Sequence, residues 1–450
     1  MLVEKLLRLG RRQLHTIISR EIIKPSSPTP SHLNPYNLSP IDQLAQQAFM
    51  PMVLLYPNNG NGSLSAHDKA RLLKESLSHS LKQYYPFSGR LPTPKTPYVN
   101  CNDEGVVFVE ARNEHQLDMF QRLSEHDESL DKLFPDDLVC HNSPHSTNLI
   151  GVQLNHFACG GLGLAISLSH LIGDGCTIGS FLSHWASVAR YGSTDHKEVQ
   201  PLNPHILSSP FPTSTLPDSH VINKGYANRV TKKFVFPNSK LIALKNEVIA
   251  MAAAGSTQPI KNPTRVEVLT SLLYKSAVAA ATKKSGCFKP SYLFMPVDIR
   301  KKFVQKLPQT AMGNFVSVMM VPTRVSSEVS LSVLVSGIKK EKLQLEGIPS
   351  LQQAADNMKI LQSKLLANEN LEDVINRSYW CSSLCGFPYD KMDFGWGKPT
   401  GTTLALRSAD RIGFLLMDTP DGDGIEAPAI LEKEDMKIFE NDKHMLSFCH

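Results

Sequence analysis

The sequence has no uninterrupted apolar run near the roughly eighteen residues that a membrane-spanning helix needs, which excludes an integral helical membrane protein. It has no long block of like charge either. Its 47 lysines and arginines stand against 42 aspartates and glutamates, a formal charge of +5 spread along the chain, which argues against a nucleic-acid-binding stripe or a polybasic membrane patch. Cysteine is scarce. Eight in 450 residues, irregularly spaced, cannot form a disulfide framework and suit a reducing compartment. Cys381 and Cys385 lack the second cysteine or histidine pair that a zinc site requires. No short-period repeat is present. These absences predict a soluble cytoplasmic protein with no metal, no nucleic acid and no membrane among its partners.

What is present is an ordinary globular composition, 41% hydrophobic and 20% charged, in a chain too long for one core. Residues 1–14, MLVEKLLRLGRRQL, read as a short helical extension, because Glu4 and the lack of serine argue against an organelle-targeting peptide. TIISREII then reads as a strand. Ala70, Leu73, Leu77 and Leu81 recur at helical spacing over 66–83, and YYPFSGRL breaks that pattern with Pro86 and Gly89. HFACGGLGLAISLSH is strand-like around a glycine turn, and 177–192 is a helix ended by Gly192. Residues 193–225 carry five prolines among many Ser, Thr and Asn, which marks a linker. Beyond it the mixed pattern resumes, with a helix around VEVLTSLLYKSAVAAATKK, strands at SYLFMPVDI and FVSVMMVPT, and a hairpin over RIGFLLMDTPDGDGIEAPAIL. The organisation is therefore an extension (1–14), an N-terminal domain (15–192), a crossover linker (193–225) and a C-terminal domain (226–450).

Two segments bear chemistry. In SLSHLIGDG, Leu164, Ile166, Leu168 and His170 fall on one face of a period-two strand, so an imidazole ends that face where Gly173 and Gly175 turn the chain. For a lone histidine a buried core role remains the commoner outcome. DFGWG, Asp393 to Gly397, encloses Trp396 between Gly395 and Gly397, a rigid loop anchored by a large ring. Its aspartate suits capping backbone amides or pairing with arginine better than catalysis. CGGLGLA is not a nucleotide loop, for no basic residue or helix follows it, and DGDG lacks the ligand spacing of a calcium loop.

Taken together, HLIGDG and DFGWG resemble, in order and separation, the paired signatures of the plant BAHD acyltransferases, which move acyl groups from coenzyme A thioesters. IKPSSPTP, YYPFSGRL, NHFACGGLGLAISLSH, PVDIRKK, AMGN and DGDGIEA extend the resemblance over all but residues 1–14 and the linker. The wording is most similar to the vinorine synthase-like, alkaloid-acetylating branch. The resemblance implies an α/β fold of two mixed-sheet domains of the chloramphenicol acetyltransferase type, joined by the crossover loop, with a channel between them. It implies a monomer with no permanently bound cofactor, using acyl-CoA, acetyl-CoA first, and a small alcohol acceptor.

An alcohol is a poor nucleophile until its proton is being removed, and His170 is the residue that would remove it. By resemblance Asp174 points away from the imidazole and pairs with Arg300 of PVDIRKK, and Asp393 holds its loop near the coenzyme channel, away from the reacting atoms. Asn314 of AMGN is either a polar group lining the site, an oxyanion donor included, or a turn asparagine. No cysteine matches a position for an acyl-enzyme, which predicts direct transfer. A malonyl donor would call for a pocket cation, with Arg407 and Arg411 as candidates, and the acceptor would then be a terpenoid or phenolic alcohol as readily as an alkaloid. Competing readings are a condensation-type domain, disfavoured by Ser169 in place of a first histidine, a thioesterase, and a ligand-binding paralogue without turnover, disfavoured because His170 is retained.

Overall fold

The computed structural model describes residues 15–45, 48–58, 60, 64–93, 96–122, 128–136, 138, 148–192, 228–254, 259–366, 374, 376–405 and 412–450. The expected extension over 1–14, the linker over 193–225 and the two arginines Arg407 and Arg411 lie outside the described residues. Among the described residues no helix is long and apolar enough to cross a membrane, and no cluster of three His, Cys, Asp or Glu suits a metal.

Two six-stranded mixed sheets organise the chain. The first runs in the order His15–Ile23, Val106–Asn113, Ile150–Phe157, Leu162–Ser169, Phe49–Tyr56 and Gly401–Leu404. The second runs Val316–Thr323, Ser291–Asp298, Ser378–Ser383, Gly413–Asp418, Gly424–Glu432 and Arg229–Pro237. Both mix parallel and antiparallel neighbours: Val106–Asn113 lies parallel to Ile150–Phe157, which pairs antiparallel with Leu162–Ser169.

The helices that back the first sheet form where the leucine spacing places them. Ser65 caps Ala66–Gln83 by accepting from the Asp68 N–H, and Pro86 turns the chain into a 3-10 segment, Tyr85–Ser88, directly after it. Leu73, Leu77 and Leu81 are fully buried in a core shared with Phe181, Leu182 and Trp185 of the helix Gly175–Tyr191. The Trp185 indole N–H donates to Ser76 Oγ at 3.0 Å, which satisfies a polar atom that burial would otherwise leave costly. Gly192, at φ 76°, ends the second helix in the left-handed conformation that glycine tolerates best. On the second sheet, a reciprocal Thr264–Glu267 capping box starts Arg265–Ser285.

The division of the chain at the linker does not coincide with the sheets. Gly401–Leu404, from the second half, pairs antiparallel with Phe49–Tyr56 at the edge of the first sheet. Tyr389, Met392, Phe394 and Leu404 are buried in the first sheet's core. The DFGWG region, from the second half of the chain, therefore packs with the first sheet. The strand Leu162–Ser169 departs from a half-exposed alternation in the same spirit: every residue is buried. One face packs Leu164, Ile166 and Leu168 into the main core, and the other sets Ala165 in a second cluster with Phe134 and Phe157.

Candidate active site

His170 follows the last residue of that central strand. Its backbone N–H still donates to Ala48 O at 2.7 Å, as though the ladder ran one residue further, while the Ile172 N–H turns back to Ser169 O. The imidazole is thus fixed at the sheet's end rather than carried on a loop. It is partly exposed, and its Nδ1 lies 2.9 Å from Asn314 Oδ1. Its Nε2 has no hydrogen-bond partner among the described residues.

Asn314 belongs to the other half of the chain, and three interactions hold it. Its backbone N–H donates to Asp42 Oδ1 at 2.7 Å, its side-chain Nδ2 donates to the same oxygen at 2.8 Å, and Nδ2 also donates to the backbone carbonyl of His170 at 2.7 Å. Both amide hydrogens are used, so Asn314 meets the imidazole as an acceptor and has none left for an oxyanion. Asp42, 0% exposed, accepts on its second oxygen from the Ser39 N–H at 2.9 Å, and the Asp42 N–H returns a bond to Ser39 Oγ at 3.1 Å. Burial pushes the Asp42 carboxyl up, opposed by these donors.

Asp174 turns away from the imidazole. Its two oxygens receive Arg300 Nη1 at 2.8 Å and Nη2 at 3.0 Å, a bidentate pair whose side chains are 2% and 0% exposed. The same carboxylate accepts from the Thr177 N–H, capping the helix Gly175–Tyr191, and from the Phe315 N–H across the two halves. Burial alone would raise the Asp174 carboxyl, but Arg300 and the two N–H donors more than offset it and hold the group below the ordinary carboxylate range. Arg300 also donates to the carbonyls of Ala311 and Gly313 and lies over the Phe315 ring. AMGN, residues 311–314, is therefore clamped to the HLIGDG turn, and this clamp sets Asn314 against His170.

Asp393, Gly395 and Trp396 build a separate feature. Asp393 Oδ1 accepts from the N–H groups of Gly395 and Gly397, both at 2.9 Å, and Oδ2 lies 3.3 Å from Arg190. Trp396 stacks on the fully buried Phe394, which meets Trp185 edge-on at 5.1 Å. Next to this loop a cleft opens between the sheets, lined by Lys233, Tyr389, Thr400, Thr402, Met417 and Glu426 among others. The Tyr389 hydroxyl donates to Gly175 O, which ties the cleft wall to the turn after His170. Sequence reasoning missed Asp42. The one local trace was the SPID spacing, Ser39 to Asp42, of a reciprocal cap.

The model of the Transferase family matches residues 15–446. The chain belongs to the BAHD acyltransferase family. It is 34% identical over 436 residues to akuammiline synthase 1 of Alstonia scholaris, covering 96% of this chain and 97% of that relative. Deacetylvindoline O-acetyltransferase of Catharanthus roseus is 32% identical with 96% and 97% covered, and 17,18-epoxy-17-hydroxycur-19-ene N-malonyltransferase of Strychnos nux-vomica is 32% identical with 96% and 90% covered. The crystal structure of vinorine synthase superposes with a TM-score of 0.77 at 27% identity, over 97% of this chain and 98% of that one. The two mixed sheets are the two-domain fold of the BAHD enzymes, and the chain is an acyl-CoA-dependent acyltransferase.

Proposed function

We propose that this BAHD enzyme is an O-acyltransferase that moves an acyl group, acetyl first among them, from acyl-CoA to a hydroxyl of a plant specialised metabolite, an alkaloid by preference. The observation that carries the reading is the His170 imidazole, fixed at the junction of the two halves with Nδ1 engaged by Asn314 and Nε2 without a partner among the described residues. In this reading Nε2 takes the acceptor's hydroxyl proton as the oxygen forms its bond to the thioester carbonyl carbon. The carbon–sulfur bond then breaks, and the proton passes from His170 to the departing thiolate. Asp174 and Arg300 are architectural, as are Asp393, Gly395 and Trp396.

Transfer is direct, within a complex holding both substrates. Three thiols support this: burial pushes Cys381 to about 12 and Cys385 to about 11, and raises Cys176, so none of these three is an activated nucleophile. The chain works as a cytoplasmic monomer of two domains, in keeping with its sparse, irregular cysteines. The relatives favour alkaloid chemistry and include both an O-acetyltransferase and an N-malonyltransferase, so malonyl transfer is the second reading.

A panel of acetyl-, malonyl- and aromatic acyl-CoA against alkaloid, terpenoid and phenolic alcohols, read by mass spectrometry, tests both. An acetyl ester of an alkaloid alcohol as the fastest product is expected. Preference for malonyl-CoA would overturn the donor assignment, and thioester hydrolysis at equal rate without any alcohol would overturn transfer itself.

A further inference from the structure

The bonds around Asn314 have a consequence for the charge-neutral form of His170. A neutral imidazole carries its single proton on one nitrogen, and only the other can act as base. A side-chain amide is symmetric in shape but not in chemistry: turned over, it would present NH2 to Nδ1, move the ring proton to Nε2 and leave the acceptor-facing nitrogen unable to take a proton. His170 O, which accepts from Asn314 Nδ2 at 2.7 Å, is one reason against that turn. Asp42 supplies the second reason. Its Oδ1 lies 2.8 Å from Asn314 Nδ2 and 2.7 Å from Asn314 N, so turning the amide would set two oxygens against each other inside a fully buried site.

We infer that Asp42 is a positioning residue for acyl transfer: through Asn314 it holds the amide in one orientation, places the imidazole proton on Nδ1 and keeps Nε2 as the free base. The inference rests on His170 acting as that base. Asp42 touches neither His170 nor a reacting atom, so it acts through Asn314 alone. Its own surroundings fit a residue kept for orientation. It is buried among Ser39 and Asn314 donors and, among the described residues, has no lysine, arginine or histidine ion pair, an arrangement that an apolar side chain would replace at lower cost if stability were its purpose.

The test combines nitrogen-15 spectra of the histidine side chains with steady-state kinetics. His170 is assigned by the signal lost in His170→Gln. In the wild-type enzyme, above the pH at which the ring protonates, His170 should be the Nδ1–H tautomer. An Nε2–H wild type contradicts the inference, whatever the variants do. Asp42→Ala should lower kcat at least about tenfold, within the roughly 10⁴-fold effect recorded when a histidine base is forced into the wrong tautomer, with KM for acyl-CoA within about twofold. Its His170 should show Nε2–H character. Asp42→Asn keeps the size and one acceptor oxygen and should fall between wild type and Asp42→Ala in both readouts. A folded Asp42 variant with wild-type kcat, or one that loses activity with the Nδ1–H tautomer unchanged, overturns the inference. Failure of the base assignment itself looks different: His170→Ala would keep its turnover, while the tautomer shift in the Asp42 variants would persist without kinetic effect.

Discussion

Asp174 and His184 show how much a side chain's role depends on what burial leaves around it. His184 sits on the helix Gly175–Tyr191 against Tyr84, and burial alone lowers it to about 4, so it stays neutral and serves the core. Asp174 is as deeply buried, yet Arg300 keeps it ionised. Breaking such a pair from one side strands a charge and costs about 3–5 kcal/mol, against a total of about 5–15 kcal/mol for a typical protein. Asp174→Ala and Arg300→Ala should each lower Tm and soluble yield, and the double variant should lose clearly less than their sum by urea denaturation. Additive losses, or inactivity of Asp174→Asn with unchanged Tm, would make Asp174 a catalytic partner instead. The pH dependence has a definite sign. The folded carboxyl titrates below its unfolded value, so its stabilisation is complete above the unfolded value of about 3.9 and is lost as pH falls through the lower folded one. The stability gap between wild type and Asp174→Asn should accordingly be full at pH 7 and shrink under acid. At this scale the sequence exposes His170, because a strand ending in glycines is a local pattern. Asp42 leaves only the trace of a local cap with Ser39, since its partner Asn314 lies 272 residues away and only folding brings the two together.

The DFGWG loop is held by its own backbone. Asp393 gathers the N–H groups of Gly395 and Gly397, whose φ values of 108° and 109° lie where a side chain is strained, while Phe394 and Trp396 anchor the loop in the first sheet's core. No neighbouring atom would meet a Cβ at Gly397, so Gly397→Ala isolates the backbone term. It should cost about 1–3 kcal/mol and lower Tm by a few degrees, with kcat per folded molecule nearly kept. An unchanged Tm would show that the loop relaxes freely. Elements with strong local signals form where the sequence predicts them: the leucine-spaced helix Ala66–Gln83, the helix closed by Gly192, and the hairpin of Gly413–Asp418 with Gly424–Glu432. Gly401–Leu404 has no such signal. Four residues rich in Gly and Thr become a strand only because Phe49–Tyr56 offers an edge, and that partner lies far back in the chain. Likewise, the apolar alternation along Leu162–Ser169 does not disclose that the other face, Gly163, Ala165, Ser167 and Ser169, is buried as well.

For the whole molecule, the decisive feature is that neither half holds the proposed site alone. His170 and Asp174 come from the first half, Arg300 and Asn314 from the second, and the Asp174–Arg300 pair closes the two together around the imidazole. A site assembled in this way suits two substrates bound at once. Initial rates measured with acyl-CoA and alcohol both varied should give intersecting lines. Parallel lines, or an acylated residue trapped by intact-mass spectrometry, would point to a covalent intermediate.

The claim that one imidazole at this junction removes the acceptor's proton is met most directly by the turnover of His170→Ala, measured beside its melting temperature and its affinity for acyl-CoA. A positioned base contributes roughly 10²–10⁴-fold, so kcat should fall by that order while fold and coenzyme binding stay intact. A correctly folded His170→Ala enzyme that keeps more than about a third of wild-type kcat would contradict the account, since a positioned base of that strength could not be missing.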